Sequence, residues 1–112
     1  MDHINKNIQS SDAIISGEIY TYFHTSYYNR TNKEIILLKP KEELGWVGEW
    51  GLIKKLNTPE ISSLESVKSP RVWLILREKT YDEYKKQVPP YWQLKQEFHD
   101  GDLIIGLYEN KK

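Results

Sequence analysis

The 112-residue chain contains no cysteine, which rules out disulfides, thiolate metal ligands and cysteine nucleophiles and leaves the redox compartment open. It also lacks an excess of charge. Sixteen basic residues balance sixteen acidic ones, so no overall field draws the chain to nucleic acid or an anionic membrane surface, and no nucleic-acid partner is expected. Long apolar runs are missing too. No window of about eighteen apolar residues is present to cross a bilayer, and Met1-Asp2-His3-Ile4-Asn5-Lys6 has no apolar centre of a secretory leader. With no internal repeat, and linkers too short for a domain boundary, residues 1–112 are expected to form a single soluble domain around one core.

The motifs of common chemistries are absent as well. A dinucleotide or phosphate site needs a glycine-rich turn after the first strand, whereas Ser16-Gly17-Glu18 offers one glycine and then a repelling carboxylate. No cofactor is therefore expected. His3, His24 and His99 lie far apart without a second ligand type at metal spacing, so no metal is expected either. No Gly-x-Ser-x-Gly elbow supports a serine nucleophile. Asn29-Arg30-Thr31 fits the glycosylation acceptor triplet, a pattern common by chance.

What is present is a buried strand. Arg71-Val72-Trp73-Leu74-Ile75-Leu76-Arg77 holds five apolar residues in a row behind Pro70, the pattern of a strand covered on both faces, and hence of a parallel sheet between helical layers. Around it, Ile4 and Ile8 mark the end of a helix, Asp12 to Ser16 a first strand closed by Gly17, and Glu34 to Leu38 a second buried strand ended by Lys39-Pro40. Between these strands Ile19, Tyr22, Phe23 and Tyr27 share one helical face, which predicts a helix from Glu18 to Tyr28.

Lys41 to Leu56 reads as a loop, with Gly45, Gly48 and Gly51 interleaved with Trp46 and Trp50 and room for a short strand near Leu52-Ile53. Asn57-Thr58-Pro59-Glu60 predicts a capped helix that buries Ile61, Leu64 and Val67. Thr80-Tyr81-Asp82-Glu83 predicts a second capping box, opening a helix with Tyr81, Tyr84 and Val88 on one side that Pro89-Pro90 ends. From Trp92 on, Trp92, Leu94 and Phe98 alternate with polar residues, predicting one buried and one wet face. Asp100-Gly101 is expected to be the two-residue turn before an antiparallel Leu103 to Tyr108 strand. The predicted fold is thus α/β: a three-layer, Rossmann-like open sheet, mostly parallel, with a C-terminal antiparallel hairpin.

Candidate chemistry is thin. Asp82 and Glu83 suit the start of a helix, and Asp100 suits a turn, so paired-carboxylate chemistry has little support there. Glu49, between Trp46 and Trp50, has no such structural duty. Rings with polar edges, Trp46 and Trp50 with Tyr27 and Tyr28, suit a sugar or a lipid-linked sugar, and equally well close a core beneath a long loop. The carboxyl ends of the strands, where open α/β sheets bind ligands, carry Glu18, Lys39 and Arg77.

The ordered cues Asp12-Ala13-Ile14-Ile15-Ser16, Tyr27-Tyr28, Arg71-Val72-Trp73-Leu74-Ile75, and Phe98 before Leu103-Ile104-Ile105-Gly106-Leu107-Tyr108 resemble the soluble C-terminal domain of bacterial membrane glycosyltransferases of the dolichyl-phosphate-mannose protein mannosyltransferase family. The resemblance implies an extracytoplasmic domain at the cell membrane, partnered by the transmembrane portion of the same polypeptide and by glycan or lipid-linked sugar. Its parent would transfer a sugar from a polyprenyl-phosphate donor. The family's catalytic acids have no match here, so this domain alone is expected to be accessory and not catalytic. Two rivals stand beside it. One is an independent carbohydrate-binding module using Trp46 and Trp50. The other is a small enzyme with Glu18 or Glu49 as acid or base beside Lys39 or Arg77.

Overall fold

The computed structural model describes residues 2–17, 19–31, 33–38, 60–61 and 63–111. In chain order they form α1 (Asp2–Asn7), β1 (Asp12–Ser16), α2 (Ile19–Tyr28), β2 (Ile35–Leu38), β3 (Glu60–Ile61), β4 (Arg71–Arg77), α3 (Tyr81–Lys85), β5 (Trp92–Asp100) and β6 (Leu103–Asn110). The six strands make one mixed sheet in the order β3-β2-β1-β4-β6-β5. β1, β2, β3 and β4 run parallel, with Ile14 opposite Ile35 on one side and opposite Trp73 on the other. β6 lies antiparallel to both β4 and β5. The chain is therefore an α/β domain whose sheet is parallel on one side and closes with an antiparallel hairpin.

The central strand is β4, flanked by β1 and β6. Its five apolar residues from Val72 to Leu76 are all buried, and Trp73 has 0% of its surface exposed. Alternation splits them between two cores, because successive side chains in a strand point to opposite faces. Trp73 and Ile75 join Ile14, Ile35 and Ile105 on the first face, against Ile4 of α1 and Tyr22 of α2. Val72, Leu74 and Leu76 join Ile15, Leu38 and Tyr108 on the second, against Leu64 and against Tyr84 of α3. Each such side chain contributes about 1.5–3 kcal/mol of hydrophobic stabilisation.

Several sequence expectations need correction. Among the described side chains of α2 the buried ones are Thr21 and Thr25, one turn apart, while Tyr27 is 80% exposed. Hydrogen bonds make this workable: the Thr25 hydroxyl donates to the Thr21 carbonyl oxygen at 2.6 Å, and the Thr21 and Ser16 hydroxyls lie 2.5 Å apart. A hydroxyl with a partner can be buried, and an apolar-face count misses it. Residues 57–59, with the expected cap Asn57, lie outside the described residues, as does the 41–56 stretch. Where a capped helix was predicted through Val67, Glu60–Ile61 pairs with β2 as a strand and Leu64–Ser66 forms one 3-10 turn capped by the Ser63 hydroxyl.

The second capping box also fails in detail. The Thr80 side chain makes no cap bond, and a 3-10 turn at Glu78–Thr80 leads into α3 instead. Tyr81, Tyr84 and Val88 nonetheless meet the second core together. β5 does not present the predicted single apolar face. A bulge between Leu94 and Gln96 shifts the register by one, which sends Trp92 to the second core and Phe98 to the first. The hairpin turn lies one residue later than expected: Asp100 pairs with Leu103, and Gly101, at φ +61°, is the first of two loop residues.

Ile75→Ala empties a fully buried position on β4 and should lower the unfolding free energy by about 2–5 kcal/mol in a urea titration followed by tryptophan fluorescence. A loss below about 1 kcal/mol would contradict a sandwiched β4.

Candidate functional site

The two ends of the parallel strands differ in chemistry. At the C-terminal ends, where β1 and β4 diverge, the crevice of an open α/β sheet is expected. Here it is filled. A methyl group placed on Gly17 would lie 2.3 Å from Leu76 Cδ2 and 3.4 Å from Tyr84 Cδ1, so those side chains rest directly on the Gly17 backbone. Ser16, the last residue of β1, is fully buried, and its hydroxyl is bonded to that of Thr21. A ligand laid against the Gly17 backbone on this face would have to displace Leu76 and Tyr84.

At the opposite end the parallel strands begin, and a buried carboxylate organises them. The Asp12 side chain is fully buried. Its Oδ2 accepts from the Gln9 N–H and from Trp73 Nε1–H, both at 2.9 Å. Its Oδ1 faces Arg71 Nε at 3.4 Å, an ionic contact longer than a good hydrogen bond. The Arg71 guanidinium also lies 5.9 Å from the Trp73 ring centre, within cation–π range. Asp12 thereby fixes Arg71 at the wall of an open cleft of about 530 Å³, which Asn7, Gln9, Lys95, Gln96 and Glu109 also line.

Beside Arg71, as its cross-strand partner on β6, Glu109 is held between two ammonium groups, Lys95 Nζ at 3.0 Å and Lys111 Nζ at 2.8 Å. Those hydrogen bonds, from Lys111 first and Lys95 second, hold its carboxyl below the usual range. Beside the cleft the loop after α2 is pinned to α1: Asn5 Nδ2 donates to the Tyr28 carbonyl, and Asn5 Oδ1 accepts from the Arg30 N–H. Lys33 Nζ donates to the Ser10 carbonyl at 2.6 Å, just before β1. Tyr27 and Tyr28, 80% and 50% exposed, meet edge to face with ring centres 5.0 Å apart.

Charge is segregated along the strand direction. Arg30, Lys33, Lys68, Arg71, Lys95 and Lys111 stand toward the end where the parallel strands start, accompanied by Glu34 and Glu109. Exposed Glu78, Asp82, Glu83, Asp100 and Asp102 stand toward the other, with Arg77 and Lys79 and, at the end of α3, Lys85 and Lys86. A third cluster joins α3 to β5. The Tyr81 hydroxyl donates to Glu97 Oε1 at 2.6 Å, and His99 Nε2 lies 3.4 Å from Glu97 Oε2. The Tyr81 bond lowers the Glu97 carboxyl, while burial and then Glu97 itself raise the Tyr81 phenol.

Of the residues named from sequence, Glu18, Lys39, Trp46, Glu49 and Trp50 lie outside the described residues. Tyr27 and Tyr28 stand at the starting end of the parallel strands, and Arg77 ends β4 at the opposite one, so the structure does not bring these three together. Sequence reasoning missed Asp12, Arg71, Lys95 and Glu109. The signal lay in Asp12 and Arg71, one at the head of each of two buried strands, with a tryptophan indole two residues along.

No family model and no curated protein sequence matches the chain. Among solved structures it is similar to the 16S rRNA methylase RmtB, at 11% identity and a TM-score of 0.50, covering 97% of this chain and 59% of that one. It also matches an rRNA methylase from Escherichia coli, at 10% identity and a TM-score of 0.48, covering 97% of this chain and 61% of that one. The chain thus spans about three fifths of the length of each. The likeness is one of fold, and it corrects the kinship expected from sequence: the Asp12 to Ser16 and Arg71 to Ile75 cues belong to a sheet of methylase type, not to a mannosyltransferase-like domain. The glycosyltransferase accessory role and its glycan and transmembrane partners lose their basis with it. Because the neighbour at a TM-score of 0.50 is an rRNA methylase, the expected exclusion of nucleic acid does not stand either. No described helix is long and apolar enough to cross a membrane.

Asp12→Ala strips the acceptor from Trp73 Nε1 and Gln9 N and should cost about 1–3 kcal/mol for each stranded donor, read by thermal or urea unfolding. Glu97 contributes stability that is complete above its ordinary value of 4.5 and is lost as pH falls through its lowered folded value. Glu97→Gln should therefore flatten the fall in urea midpoint below that pH, and an unchanged slope would remove Glu97 from the acid response.

Proposed function

We propose that this chain is an RNA-binding domain on a three-layer, Rossmann-like frame of methylase type, gripping a single strand at the end where its parallel strands begin. The observation that carries this reading is the segregation of charge: a chain of zero net charge gathers Arg30, Lys33, Lys68, Arg71, Lys95 and Lys111 toward the end that also exposes the Tyr27 and Tyr28 rings. Cationic side chains suit phosphates, and exposed aromatic faces suit unstacked bases, which is how single strands are held without sequence preference. Arg71 is preset for a phosphate, since Asp12 and the Trp73 ring fix its position at the cleft wall before any ligand arrives.

The rRNA methylases of similar fold support RNA as the polyanion to test first. Binding rather than methyl transfer is proposed for this chain because Leu76 and Tyr84 occupy the crevice over Gly17. Glycine and side chains in van der Waals contact leave no bed for a cofactor against that turn.

Fluorescence anisotropy with a labelled single-stranded RNA tests the reading. Affinity should fall with salt, by roughly 0.7 in log–log slope for each phosphate contacted. Arg30→Glu with Lys111→Glu should weaken binding and shallow that slope, and Tyr27→Ala should cost about 1–3 kcal/mol of stacking. Lys79→Glu at the opposite end should change little. Equal effects from both ends, or no binding at low salt, would overturn the proposal.

A further inference from the structure

β5 is the outermost strand on its side of the sheet, with no described strand beyond it. The outward row of N–H and C=O groups on such a strand is a template for another strand, and proteins usually blunt it with proline, charge or a bulge. β5 has no proline between Trp92 and Asp100, and its bulge comes early, at Lys95. From Gln96 to Asp100 the strand runs five residues without interruption, opposite Leu107 to Leu103. We propose that this segment pairs antiparallel with the same segment of a second copy of the chain, centred on Phe98.

Register decides between alternatives. Centred on Phe98, Glu97 of each copy faces His99 of the other, Gln96 faces Asp100, and Phe98 faces Phe98. Opposite residues in an antiparallel pair share a face, and here every pair does, because no bulge interrupts the segment. Centring one residue earlier, on Glu97, would set the two Glu97 carboxylates against each other and Lys95 against His99. Centring on Gln96 would cross the bulge and oppose Leu94, on the second face, to Phe98, on the first. Centring on His99 would set Phe98 against Asp100.

The groups are placed for it. His99 and Glu97 keep 63% and 33% of their side-chain surface in solvent, and Tyr81 orients the Glu97 carboxylate through its 2.6 Å bond. Glu97 and His99 already lie 3.4 Å apart within one copy. Two copies would interleave them into a ring of alternating charge around the two-fold axis when the imidazoles are protonated.

Sedimentation velocity on the full chain over a concentration series tests this. The unmodified chain should show a monomer–dimer equilibrium. His99→Glu opposes Glu to Glu at both cross-strand positions, and the double variant Glu97→Lys with His99→Lys opposes Lys to Lys; each should dimerise about tenfold more weakly, while circular dichroism shows both folded. Mixed in equal amounts, the two variants present complementary edges and should restore the dimer. A chain that stays monomeric across the series, or a mixture that does no better than its components, would overturn the proposal.

Discussion

A carboxylate without any exposed side-chain surface must be compensated in place, and the compensation of Asp12 ties together the parts of this fold that sequence separates most. The backbone of Gln9 binds it from the α1 side, the Trp73 indole binds it from the centre of β4, and the Arg71 guanidinium faces it from the strand's first residue. Charge buried without partners would be very costly, so this arrangement holds only when β1 and β4 lie side by side in parallel and in the register that sets Asp12 opposite Arg71. The same bonds seat the Trp73 ring, which stacks 6.3 Å from Phe98 of β5. The order of the parallel strands and the position of the terminal hairpin are thus fixed around one polar contact inside an otherwise apolar layer.

The strands were legible because hydrophobic burial on both faces leaves an unmistakable run: Asp12 to Ser16 and Arg71 to Arg77 emerge with the bounds read from sequence. Helical segments were harder. Threonines 21 and 25 bury through hydrogen bonds, a device that no count of apolar residues detects, and the rings of Tyr27 and Tyr28 are left outside. At Glu60 a plausible capping motif lost to pairing with β2, since a strand that joins an existing sheet gains its hydrogen bonds from a formed neighbour. The bulge at Lys95 was invisible because its cause is tertiary. Trp92 meets Tyr108 on one side while Phe98 meets Trp73 on the other, and a strand serving both cores must change face between them.

The candidate site was less legible than the fold. Composition averages charge over the whole chain, and an average of zero conceals where the described charges stand. Topology does the sorting: segments that precede parallel strands meet at one end, and those that follow them meet at the other. Lys68 precedes β4 and Arg71 begins it, Arg30 and Lys33 precede β2, and Glu78, Asp82 and Glu83 follow β4. Leu76 and Tyr84 close the top of the sheet over Gly17, which illustrates how one architecture carries different sites.

The two borders of the sheet are unequal, since β5 spans nine residues and β3, as described, only two. A molecule with two long borders can stack without limit, each new member offering a fresh margin to the next. Here the described residues give one extended margin, and at the other only Glu60–Ile61. Among the described residues, then, a pairing that consumes β5 leaves no second long margin to which a further strand could add.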